Sequence, residues 1–304
     1  MTCWAGFQVR KSVVCVKQPS FLLLTCKEKC KNQIEGRNDM QSTILTHPPL
    51  KVCLTVLRFS PVEAMGTKYI PLIQDSLRKS GLPFFVKQAN LPFTANAPFP
   101  GQQIEEQWLF YSADNQEMVV LTKSSFAYQA FTYVSFSAFQ TRFLELFDLV
   151  SGIAELYPAC VFDFFGLRYS NAIEGHEWQR YLTDSYAGIL LPKDILDPSY
   201  IPMKSSFVQG VTNLGQQLLG NITVKLLQNN EGLVYPPDIA LIGNQPSRPS
   251  HLVTLLDIDH FVVFRNCKMK REVLSDVSSK LHDSIESVFF SALSEHAIKE
   301  WSQS

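Results

Sequence analysis

The sequence lacks the features that would place it in a functional class at once. Its 304 residues carry a formal net charge of −1, which removes any overall electrostatic attraction to nucleic acid. No apolar run approaches the roughly 18 residues that a membrane-spanning helix needs. No Gly-x-Ser-x-Gly sequence, phosphate-binding loop, dinucleotide fingerprint or His-Glu-x-x-His sequence occurs. The sequence therefore predicts no membrane insertion and no cofactor, argues against nucleic-acid binding, and does not decide whether the protein is an enzyme.

Charged residues are also few, at 18% of the chain, while hydrophobic residues make up 46%. This composition is typical of an ordered globular protein, because disordered chains are poor in apolar residues. Twenty-two phenylalanines indicate a large aromatic core or an apolar pocket. A chain of this length forms one large domain or two small ones.

The cysteines show no disulfide framework and no metal site. They are seven in number and scattered, and Cys53, Cys160 and Cys267 lie in apolar runs, where cysteine acts as a small hydrophobe. Cys26 and Cys30 come nearest to a metal-binding spacing, but no second Cys or His pair follows them. We therefore expect free thiols, a reducing cytoplasmic compartment and no bound metal.

The first 46 residues differ from the rest of the chain. Residues 1–39 contain seven Lys or Arg, three Asp or Glu, and four of the seven cysteines. Their apolar stretches are too short for a secretory signal, and no small-residue cleavage site follows. We expect residues 1–46 to be a poorly ordered N-terminal extension, of which the part before Met40 is dispensable for the fold. Residues 47–304 are predicted to form a single α+β domain, with a linker or lid at 174–204.

Hydrophobic periodicity predicts the order of helices and strands. Helices are expected at 63–80, 136–157 and 271–300, with Ser135 or Ser137 as the N-cap of the second. Strands are expected at 50–59, 84–87, 107–112, 117–122, 125–133, 161–171, 207–211, 221–228 and 251–264.

This order combines hairpin-connected strands with few helices, which is typical of the α+β class rather than of a parallel α/β sheet. We predict a curved, mostly antiparallel sheet with about three helices packed on one face. A sheet that curls around a long helix often leaves an apolar cavity, and such a cavity would be the place for a ligand.

Two predicted strands carry charged residues where a buried strand normally carries none. The first, 162–171, contains Arg168, and the second, 255–261, contains Asp257 and Asp259. A buried guanidinium is costly unless it is paired. A two-pronged ion pair with either Asp257 or Asp259 would satisfy Arg168, or Arg168 lines a cavity and binds an anionic ligand. We take these three residues as ligand-binding candidates.

Strand periodicity places Asp257 and Asp259 on one face, together with Leu255 and Phe261. Two carboxylates about 6.5–7 Å apart along a strand could share a divalent cation with a third ligand. In the simpler alternative, one carboxylate pairs with a neighbouring cation and the other lies at a hydrated strand end. No second acidic cluster completes a two-metal site, so the simpler alternative is favoured.

The same periodicity separates the polar residues around Arg168. Its face is expected to carry Phe162, Phe164 and Ser170. The opposite face of the strand and the last helix supply candidates for structural polar contacts, since the helix is expected to reach the sheet through a histidine. These structural candidates are Asp163, Tyr169, Asn171 and His282.

Three segments resemble the hallmark sequences of a sporadically distributed family of bacterial and archaeal proteins. They are Gly-Leu-Arg-Tyr-Ser-Asn at 166–171, Leu-Leu-Asp-Ile-Asp at 255–259, and Leu-His-Asp-Ser-Ile at 281–285 followed by Val-Phe-Phe at 288–290. The likeness extends over about residues 48–300 through the order of strands and helices. The resemblance implies a prokaryotic, cytoplasmic protein, and it carries over no catalytic residue because the family has no established activity.

Three functions are compatible with these features. The absence of a convergent acid, base and nucleophile favours a non-catalytic domain that binds a small ligand or a protein partner. The first alternative is a metal-dependent hydrolase or nuclease centred on Asp257 and Asp259 with a histidine. The second is a nucleic-acid-associated protein of a mobile or defence-type system, against which the near-neutral charge counts.

Overall fold

The structure is a computed structural model that describes residues 45–90, 105–188, 203–215, 218–229, 232–236, 239–240 and 252–302. All these ranges belong to one compact unit of the chain, residues 44–304. Residues 1–44 of the expected N-terminal extension, with Cys26 and Cys30, lie outside the described residues. Residues 189–202 of the expected linker also lie outside them.

Nine strands of the described ranges form one sheet: β1 (Leu50–Phe59), β2 (Phe84–Asn90), β3 (Glu105–Tyr111), β4 (Glu117–Leu121), β5 (Ser125–Ala130), β6 (Phe162–Glu174), β7 (Met203–Asn213), β8 (Leu219–Asn229) and β9 (Val253–Cys267). Neighbouring strands are antiparallel throughout, in the order β2-β3-β4-β5-β1-β6-β9-β8-β7. The first strand of the chain therefore lies in the middle of the sheet, between β5 and β6.

One face of this sheet, which we call the helix face, carries the main core. Three long helices pack there, α1 (Ile70–Lys79), α2 (Phe136–Ala154) and α5 (Arg271–Ala292). Three short α-helices accompany them in the described ranges, namely α3 (Leu156–Ala159), α4 (Asp184–Ala187) and α6 (Glu295–Trp301), together with a π-helical turn at Met65–Tyr69 and a 3₁₀ turn at Trp178–Arg180. None of these helices combines the length and the apolarity that crossing a membrane would take.

Local sequence explains where the helices begin and end. Pro71 lies in the first turn of α1, where its missing N–H has no helical partner to lose. The Ser135 side chain accepts from the backbone N–H of Ala138 at 3.2 Å and caps α2. The helix expected at 271–300 is divided, because Leu293 is extended and Ser294 caps a new helix, α6.

The other face of the sheet carries a smaller core beneath residues 232–236 and 239–240, which we call the strap. Ile239 of the strap packs with residues of β1 and β4 such as Leu54 and Met118. Val234 packs with Leu255 of β9 and with Ala172 of β6. The strap therefore contacts strands on both sides of β1, and we call this surface the strap face.

The predicted α+β class and the mostly antiparallel, curved sheet are confirmed. The three expected helices correspond to α1, α2 and α5, with α6 as the last part of the third, and α4 is an addition that periodicity over one turn does not reveal. In the described part of the expected linker, 174–188, Trp178 is buried and Leu182 forms a β-bridge with Leu293 beyond α5.

Candidate ligand site on the strap face

The centre of the strap face holds a buried ion pair. Arg168 of β6 lies directly opposite Asp259 of β9, and Asp257 lies two residues away on the same face of β9. The Arg168 guanidinium donates from Nε to Oδ1 of Asp257 and from Nη2 to Oδ2, each at 2.8 Å. The side chain of Asp257 is 0% exposed and that of Arg168 is 8% exposed. Of the two pairings that the sequence left open, the structure contains the one with Asp257.

The geometry of this pair explains how both charges tolerate burial. Moving two ions out of water costs several kcal/mol for each, and only close, well-directed hydrogen bonds offset that cost. Two parallel N–H···O bonds to one carboxylate are the strongest arrangement available to arginine. Because both oxygens of Asp257 accept from Arg168, the two charges compensate each other within the sheet.

Two further polar side chains of the strap face are buried without a hydrogen-bond partner. Both Oε1 and Nε2 of Gln129 on β5 are unpaired, and this residue is 0% exposed. Gln129 lies opposite Leu54 of β1, which in turn lies opposite Arg168. The hydroxyl of Ser170, two residues from Arg168 on the same face of β6, is also unpaired and fully buried. Ser170 therefore neighbours the ion pair along β6, whereas Gln129 lies two strands from Arg168, on the far side of Leu54.

The surroundings of the unpaired groups are apolar. Gln129 is flanked across the sheet by Met118 of β4 and Leu54 of β1, both buried. Ile239 of the strap belongs to the same apolar cluster. A buried polar group without a partner costs about 1–3 kcal/mol, and a hydrogen-bonding partner for this amide would remove that cost.

The site presents hydrogen-bonding groups without an activated nucleophile. Gln129 can both donate and accept, and the Ser170 hydroxyl can do either. Ser170 lies opposite Asp257, but the carboxylate oxygens of Asp257 already accept from Arg168. The hydroxyl therefore has no hydrogen-bonded base to take its proton.

Among the described residues, the arrangement expected for a metal-dependent enzyme does not assemble. Asp259 is half-buried opposite Thr223 of β8, and Asp257 is engaged by Arg168. His260, which directly follows Asp259 in sequence, points to the helix face. Within the described ranges, no group of three or more His, Cys, Asp or Glu side chains could hold a metal ion.

His260 instead joins the sheet to α5. Its Nδ1 lies 3.2 Å from the carbonyl oxygen of Leu281, and its Nε2 lies 2.7 Å from the hydroxyl of Thr212. Burial lowers the pKa of His260, so the ring is neutral, with Nδ1 donating to Leu281 and Nε2 accepting from Thr212.

Tyr169 and His282 meet on the helix face. The Tyr169 hydroxyl lies 2.9 Å from Nδ1 of His282 and 3.2 Å from the hydroxyl of Tyr133. The Phe136 ring stacks on the His282 ring with 4.0 Å between centroids. Burial lowers the pKa of His282 and raises the pKa of Tyr169, so the tyrosine donates to a neutral imidazole. This contact links α5 to β6, and we find no ligand-binding geometry around it.

Asn171 and Asp163 lie apart from the Arg168–Asp257 pair and from the Tyr169–His282 contact. Asn171 donates from Nδ2 to the carbonyl oxygen of Leu256 at 3.2 Å, which is a sheet contact on the helix face. Asp163 is exposed, and its carboxylate lies 3.5 Å from Nε of Arg58. The expectation that Asp163 shares a face with Tyr169 is wrong, because the register of β6 shifts between residues 162 and 164.

The same register shift corrects the expected position of Phe162. Phe164 remains on the strap face, where its ring stacks on Phe261 with 5.2 Å between centroids. Phe162 belongs to the core of the helix face, together with Phe165. An irregularity of this kind inserts a residue into the strand, so the period of two fails across it.

Sequence reasoning missed Gln129. Its position in a strand of aromatic and small residues, 125–130, was the available signal. A glutamine on the inner side of a buried strand calls for a partner for the same reason as Arg168 does. Ser170 was placed on the correct face but was not taken as a candidate.

A separate open cleft of about 520 Å³ lies beside the turn between β3 and β4. Ser112, Asp114 and Glu117 contribute to its lining. Glu117 is engaged by Arg142 of α2, whose Nη2 donates to Oε1 at 2.6 Å, and by the hydroxyl of Tyr128 at 3.1 Å. This cleft therefore contains the contact that ties α2 to β4, and none of the residues singled out from the sequence lines it.

Comparison with known proteins does not assign the chain to a family. No family model matches it, and no curated protein matches it. Among solved structures, the chain has a likeness to the crystal structure of the di-domain ARO/CYC StfQ from the steffimycin biosynthetic pathway, with 8% sequence identity. The likeness covers 81% of this chain and 96% of that chain at a TM-score of 0.20, a value that carries no argument about fold or function. The family resemblance of the three sequence segments stays a prediction.

Proposed function

We propose that the protein is a non-catalytic binding domain that holds a small, uncharged, mainly apolar ligand on the strap face of its sheet. The observation that carries this proposal is the fully buried amide of Gln129, of which neither the oxygen nor the nitrogen has a partner. Buried polar side-chain atoms in folded proteins are paired in the large majority of cases. A ligand that accepts from Nε2 and donates to Oε1 satisfies both atoms.

The surroundings define the class of ligand. The charges of Arg168 and Asp257 compensate each other, so the pair offers little attraction to an ionic group. The apolar side chains around Gln129, among them Met118 and Leu54, favour a hydrocarbon or aromatic body. A hydroxyl or amide on that body matches the donor and acceptor of Gln129 and the hydroxyl of Ser170.

The same geometry favours binding over catalysis. The Ser170 hydroxyl has no hydrogen-bonded base, and both oxygens of Asp257 accept from the Arg168 cation. The three described cysteines, Cys53, Cys160 and Cys267, are free thiols, which supports our proposal that the protein belongs to a reducing, cytoplasmic compartment.

The proposal is tested with Nile red, an uncharged aromatic dye that carries hydrogen-bond acceptors. We expect the full chain to bind the dye saturably, at one site per chain, with the blue-shifted emission of an apolar environment. Ser170→Leu places a larger apolar side chain beside Arg168, so it should weaken dye binding at least about tenfold, by the loss of roughly 1.4 kcal/mol. Ser137→Leu, at an exposed position on α2, is the matched control and should bind the dye like the wild type.

Three outcomes would contradict the proposal. The first is a wild-type chain that shows no saturable binding, which would mean that water satisfies Gln129. The second is equal binding by Ser170→Leu and the wild type. The third is a Ser170→Leu chain that fails to fold, as judged by circular dichroism, because it would show that the protein already fills the space.

A further inference from the structure

Beyond Lys204 near its start, the strand β7 is an edge of the sheet without the usual protection. Among the described strands it pairs with β8 alone, and this pairing runs over all 11 residues of β7 without a register shift. Residues 205–213 contain no charged residue and no proline. Natural edge strands usually carry a charge, a proline or a bulge, which prevents them from pairing with another strand. Residues 205–213 have none of these.

Apolar side chains of this edge are exposed on both sides of the strand. Phe207 is 63% exposed and Val211 68% exposed on the strap face, and Val208 is 52% exposed on the other. The exposed apolar surface continues from Val211 to Leu219 of β8 and Val263 of β9, each 57% exposed. A contiguous exposed apolar patch of this kind is typical of an interaction surface.

The opposite edge of the sheet differs. In β2, Lys87 forms an ion pair with Glu106 of β3 at 2.9 Å, and both side chains are about half exposed, at 55% and 48%. A lysine in the middle of an edge strand repels a second copy of the same strand. Self-association through β7 would therefore end at a closed pair of chains, since the edge that remains at each end carries charge.

We infer that β7 pairs with β7 of a second copy of this chain, antiparallel and centred on Gln209. A twofold axis at Gln209 places Phe207 of each chain opposite Val211 of the other. Residues that lie opposite one another share a face, so two apolar cross-strand pairs form on the strap face. On the other face, Val208 lies opposite Gly210, where no side chain obstructs it.

A second copy fits this edge better than a partner selected by charge. Identical strands facing each other across a twofold axis present the same residues to one another. The uncharged stretch 205–213 brings no like charges together in that arrangement. The amide of Gln209 is both donor and acceptor, so two copies of it are mutually complementary at the axis.

Sedimentation of the full chain tests this inference. We expect the wild type to have the mass of a dimer, and Phe207→Lys to have the mass of a monomer, with self-association weakened at least about tenfold because two cross-strand pairs are lost from each dimer. Phe84→Lys replaces an exposed phenylalanine of the opposite edge, β2, and is the matched control that should remain a dimer. Gln209→Cys should give a disulfide-linked dimer on oxidation, since directly opposite residues of antiparallel strands are within disulfide range.

Any of the following outcomes would overturn the inference. A monomeric wild type would show that another segment or another protein covers β7. A dimer that persists in Phe207→Lys would place the interface elsewhere, and larger polymers would show that pairing does not close. A dimer in which Gln209→Cys does not crosslink beyond the wild-type level would rule out the proposed register.

Discussion

Two glutamines in buried strands differ in whether their side-chain amides have a hydrogen-bond partner. Gln228 of β8 donates from Nε2 to the hydroxyl of Thr254 at 3.2 Å and is 7% exposed. Gln129 of β5 is 0% exposed and has no partner for either amide atom. Burial is therefore similar in the two, and the pairing is the difference that points to a ligand.

Replacement of each glutamine by leucine should move stability in opposite directions. In ligand-free protein, Gln129→Leu removes an unpaired buried amide and should raise the free energy of unfolding by about 1–2 kcal/mol. Gln228→Leu leaves the hydroxyl of Thr254 without its partner and should lower it by about 1 kcal/mol. Urea unfolding of both variants measures the two changes. A loss of stability in Gln129→Leu would show that the protein itself pairs this amide.

The ion pair predicts a non-additive result. Arg168→Met and Asp257→Leu each remove one partner of the buried ion pair, so each should cost about 3–5 kcal/mol of unfolding free energy. The double variant removes both charges and should recover most of that loss, since an apolar pair of similar volume replaces the ion pair. A double-mutant cycle by chemical denaturation gives the coupling. Losses that simply add would mean that the two side chains do not compensate each other.

At the level of whole elements, sequence periodicity predicted most strands and the faces of β9, because a period of two is a local property. Prediction from periodicity failed at a register shift within a strand and at a break within a helix. The register shift between Phe162 and Phe164 follows from pairing with β1 and β9, which the local sequence does not contain. The break at Leu293 was hidden because apolar residues continue at helical spacing across it, although Ser294 is a recognisable cap in retrospect.

The attachment of α5 to the sheet should depend on pH. Burial holds the pKa of His260 below the ordinary value near 6.5, so the folded protein favours the neutral ring. The unfolded chain then binds the additional proton as pH falls, and the contribution to stability is present above pH ~6.5 and is lost as pH falls from there through the folded pKa. His260→Gln should show a smaller loss of unfolding free energy between about pH 7 and 5.

The comparison for this prediction is His296→Gln. His296 is more exposed and pairs with Glu300 on α6, away from the attachment of α5 to the sheet. That variant therefore measures how the loss of a histidine away from this attachment changes the pH dependence of the unfolding free energy, and His260→Gln is compared with it. An equal pH dependence in His260→Gln and the wild type would assign the effect to other groups, such as His282, whose pKa burial also lowers.

For the molecule as a whole, the candidate site depends on contacts between distant parts of the chain. The sequence predicted that Arg168 needs a buried partner and offered Asp257 or Asp259, because desolvation of a guanidinium is a property of the residue itself. It could not show that β1 lies between β5 and β6, which puts Gln129 two strands from Arg168 on the same face of the sheet. Nor could it show that the strap, in a segment with the composition of a loop, covers that part of the sheet.

The dimer that we infer would keep the two ligand sites on one side of a continuous sheet. The twofold axis at Gln209 relates the strap face of one chain to the strap face of the other, because the apolar pairs of Phe207 and Val211 form on that face. Loss of dimerisation in Phe207→Lys should therefore leave Nile red binding unchanged, since Phe207 lies on the edge strand and not among the apolar residues around Gln129. If Phe207→Lys lost both dimerisation and Nile red binding, the edge strand β7 would itself be part of the dye site.

The most direct measurement of the central claim follows the side-chain amide of Gln129 by NMR in protein labelled with ¹⁵N-glutamine, its signals assigned by their absence in Gln129→Leu. We predict that saturating Nile red shifts the two amide protons of Gln129 and slows their exchange with water, while the signals of Gln228, paired with Thr254, stay in place. Unchanged Gln129 signals in the presence of bound dye would contradict the claim that this amide is the polar contact of a ligand site.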